Sequence, residues 1–466
     1  MTRRFGLLCI LGVFYAAYAG GATATAQRLV TPAGQSGDAA QPAPVALPLT
    51  LSDAVARALL YNIDILNGQH DVDEARAVHD QATSRLLPHL TTRTAMSSQQ
   101  VNLAAFGFSG FPGTPSVVGP FPLFDSRLFL SQAILDLDAL HHNRAEATHA
   151  DIARLDAQQT RGVVVLTTVN LYLQAVSDRA RIAAASAQFD TATALHDLAV
   201  GLKQAGMVAG IDVLRADLQR QTARQRVLEA EHAFEKRKLL LARAIELPLG
   251  QPFVLTDTVP YRPLDDTSVE RALGEALALR PDYRAAQAEV DAAEAARSAA
   301  VAERLPAVDL AADVGTVGRT PTQDAHGTFS VVGSIRVPIF QGGRVSARVA
   351  EADALLRRRR DELASFRSRV EYDVRVALLD ERVAAEQVEL ARRSMDLAEQ
   401  ELEQARNRFA AGISGNIEVV EAQASVATAT DNHIAGVYAH NFAKAAFSHA
   451  VGGAETGIMR VLGEQP

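Results

Sequence analysis

The chain has no tryptophan, few aromatics (5%) and one cysteine in 466 residues. Each scarcity removes a class of function. Cys9 sits inside the apolar run FGLLCILGVFYAAYAG, behind Arg3 and Arg4, and small residues follow up to Ala24-Thr25-Ala26. A basic start, an apolar core and an A-x-A site form a secretory signal, so Gln27 is the expected first mature residue. With Leu8 before it in mid-core, Cys9 is in the wrong setting for a lipidated cysteine. The mature chain is then cysteine-free, which excludes disulfides, thiolate metal sites and thiol catalysis. Basic excess is missing too: 46 Lys and Arg against 54 Asp and Glu leave a net charge of −8, which argues against nucleic acid as a partner. After the signal, no stretch offers the roughly 18 apolar residues of a spanning helix. A mature chain that crosses a membrane must do so with strands. P-loop, H-E-x-x-H and G-x-S-x-G motifs are absent, so neither an enzyme nor a cofactor is expected. His141 and His142 point about 100° apart on a helix and make no metal site. Arg357 to Arg360 spread around a helix axis ahead of Asp361 and Glu362, as a solvated band does.

What is present is said twice. ALLYNIDILNGQHDVDEARAVHDQATSRLLP (58–88) aligns without gaps to ALALRPDYRAAQAEVDAAEAARSAAVAERLP (276–306). The match sets Leu59 against Leu277, Asp64 against Asp282, Val72 against Val290 and Pro88 against Pro306. AGMVAGIDVLRA (205–216) likewise matches AGISGNIEVVEA (411–422). Ile134 to Gly206 spans 72 residues and Ile339 to Gly412 spans 73, so both halves keep one ruler and the chain is a tandem duplication. Each half reads as an amphipathic helix stopped by Leu-Pro, two strands around a Gly/Pro loop, a very long helix, a Gly turn and a return helix. A helix over 138–204 or 344–410 would extend roughly 100 Å, and its apolar and small residues at three- and four-residue spacing suit packing along its length. A rod-like coiled coil would carry the same pattern.

The strands decide against a rod. AVDLAADVGTV (307–317) alternates Val308, Leu310, Ala312 and Val314 with Asp309, Ala311, Asp313 and Gly315. TFSVVGSIRVPIF (328–340) sets Phe329, Val331, Ile335 and Val337 against Ser330, Ser334 and Arg336. One apolar face and one polar face at period two fit a membrane β-barrel with a wet lumen. In the first half, Phe106, Phe108, Phe111, Phe121, Phe124 and Phe129 crowd one hairpin and read as an interfacial belt. Four strands cannot close a barrel, since single-chain barrels start at about eight, so the chain must oligomerise. At the end of the second hairpin, VPIFQGGRV carries no G-x-G-x-x-G and cradles no phosphate. Pro338 withholds an N–H from the ladder, and Gly342 and Gly343 turn the backbone from strand into helix.

In this order and spacing, the duplicated layout, the LP before each hairpin, VPIFQGG and the two Gly turns resemble the outer-membrane efflux protein family of TolC type, from about Leu49 to Gly453. The resemblance implies an all-α fold with a membrane β-barrel: a homotrimeric, twelve-stranded barrel, four strands per protomer, continued by a long α-helical barrel in the periplasm. It implies an exit duct for a tripartite efflux or type I secretion system, located in the outer membrane. The implied partners are outer-membrane lipid, a periplasmic adaptor and an inner-membrane pump of RND, ABC or MFS type. The expected organisation is a signal peptide (1–26), a disordered Pro/Ala-rich tether (27–48), a first repeat (49–250), a linker (251–267), a second repeat (268–453) and a tail (454–466). Within the repeats lie hairpins 89–135 and 307–340, long helices 138–204 and 344–410, and return helices 211–245 and 417–451. The Gly206 and Gly412 turns become the periplasmic mouth, with Gly206, Gly210, Arg215, Phe409, Gly412, Ser414 and Gly415 as tip and adaptor-contact positions. Matching position by position places the family's acidic entrance ring at Asp212, Glu418 and Glu421, although acids in a helix's first turn also simply suit the macrodipole and Asp212 also suits a helix cap. The family's tying aromatic hydroxyl and arginine fall on Phe409 and Ser414, which make neither bond, so a less firmly locked entrance is expected, with Arg215 as a substitute partner for Asp212. A periplasmic adaptor or structural coiled coil is the rival reading; it would leave the membrane in carbonate, whereas a barrel would not.

Overall fold

The helix expected before each Leu-Pro is two helices separated by one residue. The computed structural model describes residues 46–462 apart from 109–112, 114, 259–260, 265–266 and 454–456. The signal peptide, the tether up to residue 45 and Phe111 lie outside the described residues. The first repeat opens with a short strand β1 (Leu47–Leu49), then α1 (Leu51–Tyr61) and α2 (Ile63–Ser84). Asn62 breaks them in an extended conformation and accepts the Asp64 N–H at 2.9 Å, which caps α2. The strands β2 (His89–Asn102) and β3 (Val117–Leu135) follow, then α3 (Leu137–Gln204), α4 (Gly210–Ala244) and a short strand β4 (Phe253–Leu255). The second repeat runs α5 (Val269–Leu279), α6 (Pro281–Ala302), β5 (Ala307–Gly318), β6 (His326–Arg336), α7 (Arg344–Ala410), α8 (Asn416–Ala450) and α9 (Gly457–Leu462). Here the break falls on Arg280, which Pro281 forces extended while itself suiting the first helical position.

The two hairpins join into one antiparallel sheet in the order β2-β3-β5-β6. Register places Leu128, Leu130, Val308, Leu310, Val314, Phe329, Val331 and Ile335 on one face. That face is open in the protomer, with Phe329 81% and Ile335 71% exposed. Thr94 and Ser126 also fall on it, directly opposite each other, and their hydroxyls bond mutually at 2.8 Å. The other face carries Arg93, Asp125, Arg127, Asp309, Asp313 and Arg336. Arg127 pairs with Asp125 and, at 3.4 Å, with Asp313, while Arg336 donates to Asp309 at 2.7 Å. Gly315 sits across from Arg127, where a Cβ would lie 2.1 Å from the Ser126 carbonyl, so only glycine permits this approach. The phenylalanines do not form a single belt. Phe124 shares the apolar face, but register turns Phe121 and Phe129 to the polar face, where Arg127 lies over the Phe129 ring. The last strand stops at Arg336, two residues before Pro338, and Val337 to Gln341 are unpaired, so the second hairpin is shorter than 307–340.

The two strand-to-helix junctions differ. Asp136 caps α3 by accepting the Ala139 N–H at 2.9 Å. α7 begins instead from Gly342 and Gly343, both left-handed at φ 60° and 82°. From there the long helices, 68 and 67 residues, run the length of the protein. The return helices, 35 residues each, cover about half of that, and α2 and α6 cover the rest. Near its start α3 packs on α6 through Ile152, Ala285 and Ala292. Near its end it packs on α4 and α8, and Leu195, Ala199 and Ala216 share one core with Leu402 and Phe409 of α7. The arginine run is less solvated than its composition suggests: Arg359 reaches Glu289 at 3.2 Å and Arg360 reaches Glu294 at 2.6 Å, both on α6.

Midway along the helices a waist forms that periodicity did not reveal. β1 pairs in parallel with β4, Leu47 to Leu49 against Phe253 to Leu255. The tether therefore ends before Leu47, and the inter-repeat linker begins as a strand. The pair buries Leu49, Leu51, Val165, Tyr172, Leu241, Ile245 and Leu255. Ile458 and Leu462 of α9 enter the same core, so the expected tail is partly folded. The fully buried Tyr172 hydroxyl lies 2.8 Å from an Asp257 carboxylate oxygen that also accepts the Leu51 N–H at 2.6 Å. Tyr172→Phe should cost about 1–3 kcal/mol by leaving that carboxylate short of a donor. Unfolding in detergent checks this; an unshifted midpoint would mean that the Leu51 N–H and the Thr256 hydroxyl satisfy Asp257.

Candidate functional site

At the end remote from the sheet, each helix pair turns in the same way. The Met207 N–H donates to the Leu202 carbonyl at 2.9 Å and the Gly206 N–H to Lys203 at 3.0 Å. The Ile413 N–H donates to Arg408 and the Gly412 N–H to Phe409, both at 2.9 Å. This Schellman pattern requires a left-handed residue, and Gly206 and Gly412 take φ 73° and 70°. The sequence LKQAGM and RFAAGI thus stop two very long helices at one level.

Between the turns, the two repeats are clasped. Asn416, 1% exposed, donates its amide to the Asp212 carbonyl at 2.9 Å. Its counterpart in the first repeat is Gly210, which has no side chain to reciprocate. Sequence reading missed Asn416; its signal is this Asn-for-Gly exchange between otherwise matched turns. Phe409 is 1% exposed and packs among Leu195, Leu402 and Val419. It therefore fills the core under the tip and presents no surface to a partner, contrary to its place among the contact positions. The Ser414 hydroxyl is buried and has no hydrogen-bond partner among the described residues.

The three carboxylates are not equivalent. Asp212 is 16% exposed in its side chain and lies 3.9 Å from Arg215. It does not cap α4, where the cap position is Ala209 with no side-chain bond, but it does lie in the first turn, where a carboxylate suits the helix dipole. Glu418 is more open, at 44%, and faces Arg408 at 3.5 Å. Arg408 was not singled out from sequence because it belongs to the preceding helix, and only the turn brings it across. Glu421, one turn above Glu418, is exposed and has no ion pair among the described residues. A rim of exposed apolar side chains, Met207, Ile211, Leu214, Ile413 and Ile417, surrounds this group. Pro338, Gly342 and Gly343 lie at the opposite end of α7, so they act in the barrel junction and not here. Among the described residues no helix is long and apolar enough to cross a membrane.

The comparisons with known proteins agree with this layout. The family model described as outer membrane efflux protein matches residues 54–245 and 272–453, one block per repeat. The pyoverdine export outer membrane protein OpmQ of Pseudomonas putida is 26% identical over 345 residues, 71% of this chain and 70% of the relative. The toluene efflux pump outer membrane protein TtgF of Pseudomonas putida is 25% identical over 303 residues, 63% of this chain and 60% of that protein. Among solved structures, the outer-membrane channel OprN superposes with a TM-score of 0.74 at 22% identity, covering 86% of this chain and 90% of OprN, which establishes likeness of fold.

Asn416→Ala removes the clasp between the repeats and should cost about 1–2 kcal/mol locally. Hydrogen exchange should quicken in residues 205–216 and 411–422 and stay unchanged in the sheet. Equal protection at the tip would show that the clasp carries no load.

Proposed function

The chain belongs to the outer membrane efflux protein family and is a channel of the outer membrane; from that premise we propose that it is the passive exit duct of a tripartite efflux or type I secretion system. The rival reading of an adaptor or coiled coil does not fit that family. The observation that carries the proposal is the four-stranded sheet with one open apolar face, one charged face and two unpaired edges. In hydrocarbon every backbone group needs a partner, so β2 of one copy closes on β6 of the next. Three copies make the twelve-stranded barrel of TolC-like homotrimers. The charged face with Arg93, Arg127, Asp313 and Arg336 then lines water.

The helical layer supports the same assembly. α3 lies against α8 in each protomer, which leaves α4 and α7 at the flanks. Both flanks carry exposed stripes near heptad spacing: Leu214, Leu218 and Leu228 on α4, and Leu379, Val383, Leu390 and Leu397 on α7. Leu228 and Leu390 both lie about 30 Å above the tip, counted at 1.5 Å per residue. We assign these stripes to the seam between neighbours. With Leu228→Cys and Leu390→Cys in one chain, oxidation should yield covalent dimers and trimers, because the mature sequence has no other thiol. Monomers alone would overturn the pairing.

At the mouth, threefold symmetry repeats Asp212, Glu418 and Glu421 around one axis. Like charges gathered at a constriction favour cations. Arg215 and Arg408 offset the first two, so Glu421 supplies most of the uncompensated field. The apolar rim of Met207, Ile211, Ile413 and Ile417 is the surface offered to a periplasmic adaptor, itself seated on an inner-membrane pump. Phe409 and Ser414 form no tie between helices, and the Asn416 clasp is internal to one protomer, which supports a lightly locked entrance. In bilayer recordings, Glu421→Gln should reduce cation selectivity more than Glu418→Gln does. Reversal potentials unchanged in both variants would sink the ring assignment, and a wild-type conductance as low as that of a tightly shut pore would count against the light lock.

A further inference from the structure

Beyond β4 and Asp257, the linker meets the helical wall again at the Arg262 backbone carbonyl. The Arg262 carbonyl accepts from Lys444 Nζ and from His440 Nε2, each at 3.0 Å. Both donors belong to α8 and are out of solvent, His440 at 0% and Lys444 at 1% exposure. From α7, the Glu381 carboxylate, also buried, stands 3.9 Å from His440 Nδ1. The Tyr261 ring of the linker covers the imidazole with centroids 4.8 Å apart. Leu264, three residues on, packs into the core formed by α5, α7 and α8.

This geometry specifies a protonation state. A carbonyl only accepts, so Nε2 must carry the hydrogen. In the neutral ring Nδ1 is then bare, and it has no hydrogen-bond partner among the described residues. The charges balance in that state, because Lys444 and Glu381 offset each other around a neutral imidazole. A second proton on His440 would place two buried cations against one nearby anion. The remaining charged groups do not restore balance: Arg262 on the linker is a further cation, and Glu389 on α7 bears on Tyr261.

We propose that His440 is a proton-binding site whose occupation releases the inter-repeat linker from the α7 and α8 wall when the surroundings turn acidic. Burial is the largest influence on the ring and holds its pKa below the ordinary 6.5; Lys444 pushes the same way, while the Arg262 carbonyl and Glu381 oppose. The docked state thus binds fewer protons than the undocked one. Docking is complete above about pH 6.5 and weakens as pH falls from there toward the docked value, about tenfold per pH unit.

Hydrogen exchange on the full trimer in detergent, corrected for the intrinsic pH dependence of exchange, tests this. Between about pH 7.5 and about pH 5, the peptide containing Tyr261 to Leu264 should lose protection about tenfold for each unit below 6.5, while the middle of α3 stays protected. His440→Gln keeps a donor for the Arg262 carbonyl and cannot titrate, so its linker should show no acid response. Lys444→Met removes the competing cation and lets a protonated His440 pair with Glu381, so its linker should stay protected in acid. Wild-type linker protection that is the same at both pH values would overturn the proposal, and so would an undiminished acid loss in His440→Gln. The wild-type and His440→Gln arms suffice if Lys444→Met does not fold.

Discussion

Two unpaired strand edges govern this molecule. The backbone N–H and C=O groups along β2 and β6 have partners on one side only, and hydrocarbon offers them no water. A four-stranded sheet is too narrow to curl on itself, so the groups are satisfied only by further copies of the same sheet. Closure by threefold symmetry then fixes much else. It brings three sets of long helices into one wall and aligns their turns at one level.

The helices can accept that arrangement because of what they are made of. Alanine lets backbones approach, and the larger apolar residues are divided between two tasks. Leu195, Ala199, Leu402 and Phe409 hold the four helices of one protomer together, whereas Leu228, Leu390 and Leu397 remain open on its flanks. Neither set alone would stabilise a helix of about 100 Å. The waist adds a second, conventional core in which β1, β4 and α9 tie the chain's distant segments to α3. Here buried and half-buried polar groups are matched in detail: Tyr172 and the Leu51 N–H on Asp257, Arg179 on the carbonyls of Leu255 and Asp257.

The duplication supplies near-symmetry, and function collects where it fails. Asp136 caps one long helix while Gly342 and Gly343 redirect the other. Asn416 clasps where Gly210 cannot. His440 sits between Lys444 of α8 and Glu381 of α7 and bonds the linker that joins the two halves. An identical pair of repeats would have none of these differences, so each marks a place where the two halves differ in structure.

Much of this was legible in the residue order, for a physical reason. Long helices, Gly turns and alternating strands depend on periodicity within a few turns, and the repeat let each signal be read twice. Other features left no local trace. The breaks at Asn62 and Arg280 interrupt helical phase by one residue, and three-residue strands such as β1 and β4 have no pattern until they meet. Phenylalanine clustering suggested a belt, but register, not proximity in sequence, decides which face a side chain takes. The sequence by itself determined the order of the long elements, the two-faced strands and the level of the turns. Only tertiary structure decided that Phe409 is core, that Arg408 crosses a turn to Glu418, and that Glu421 has no ion pair among the described residues. Pairing and burial depend on distances of a few ångströms between residues that the chain keeps far apart.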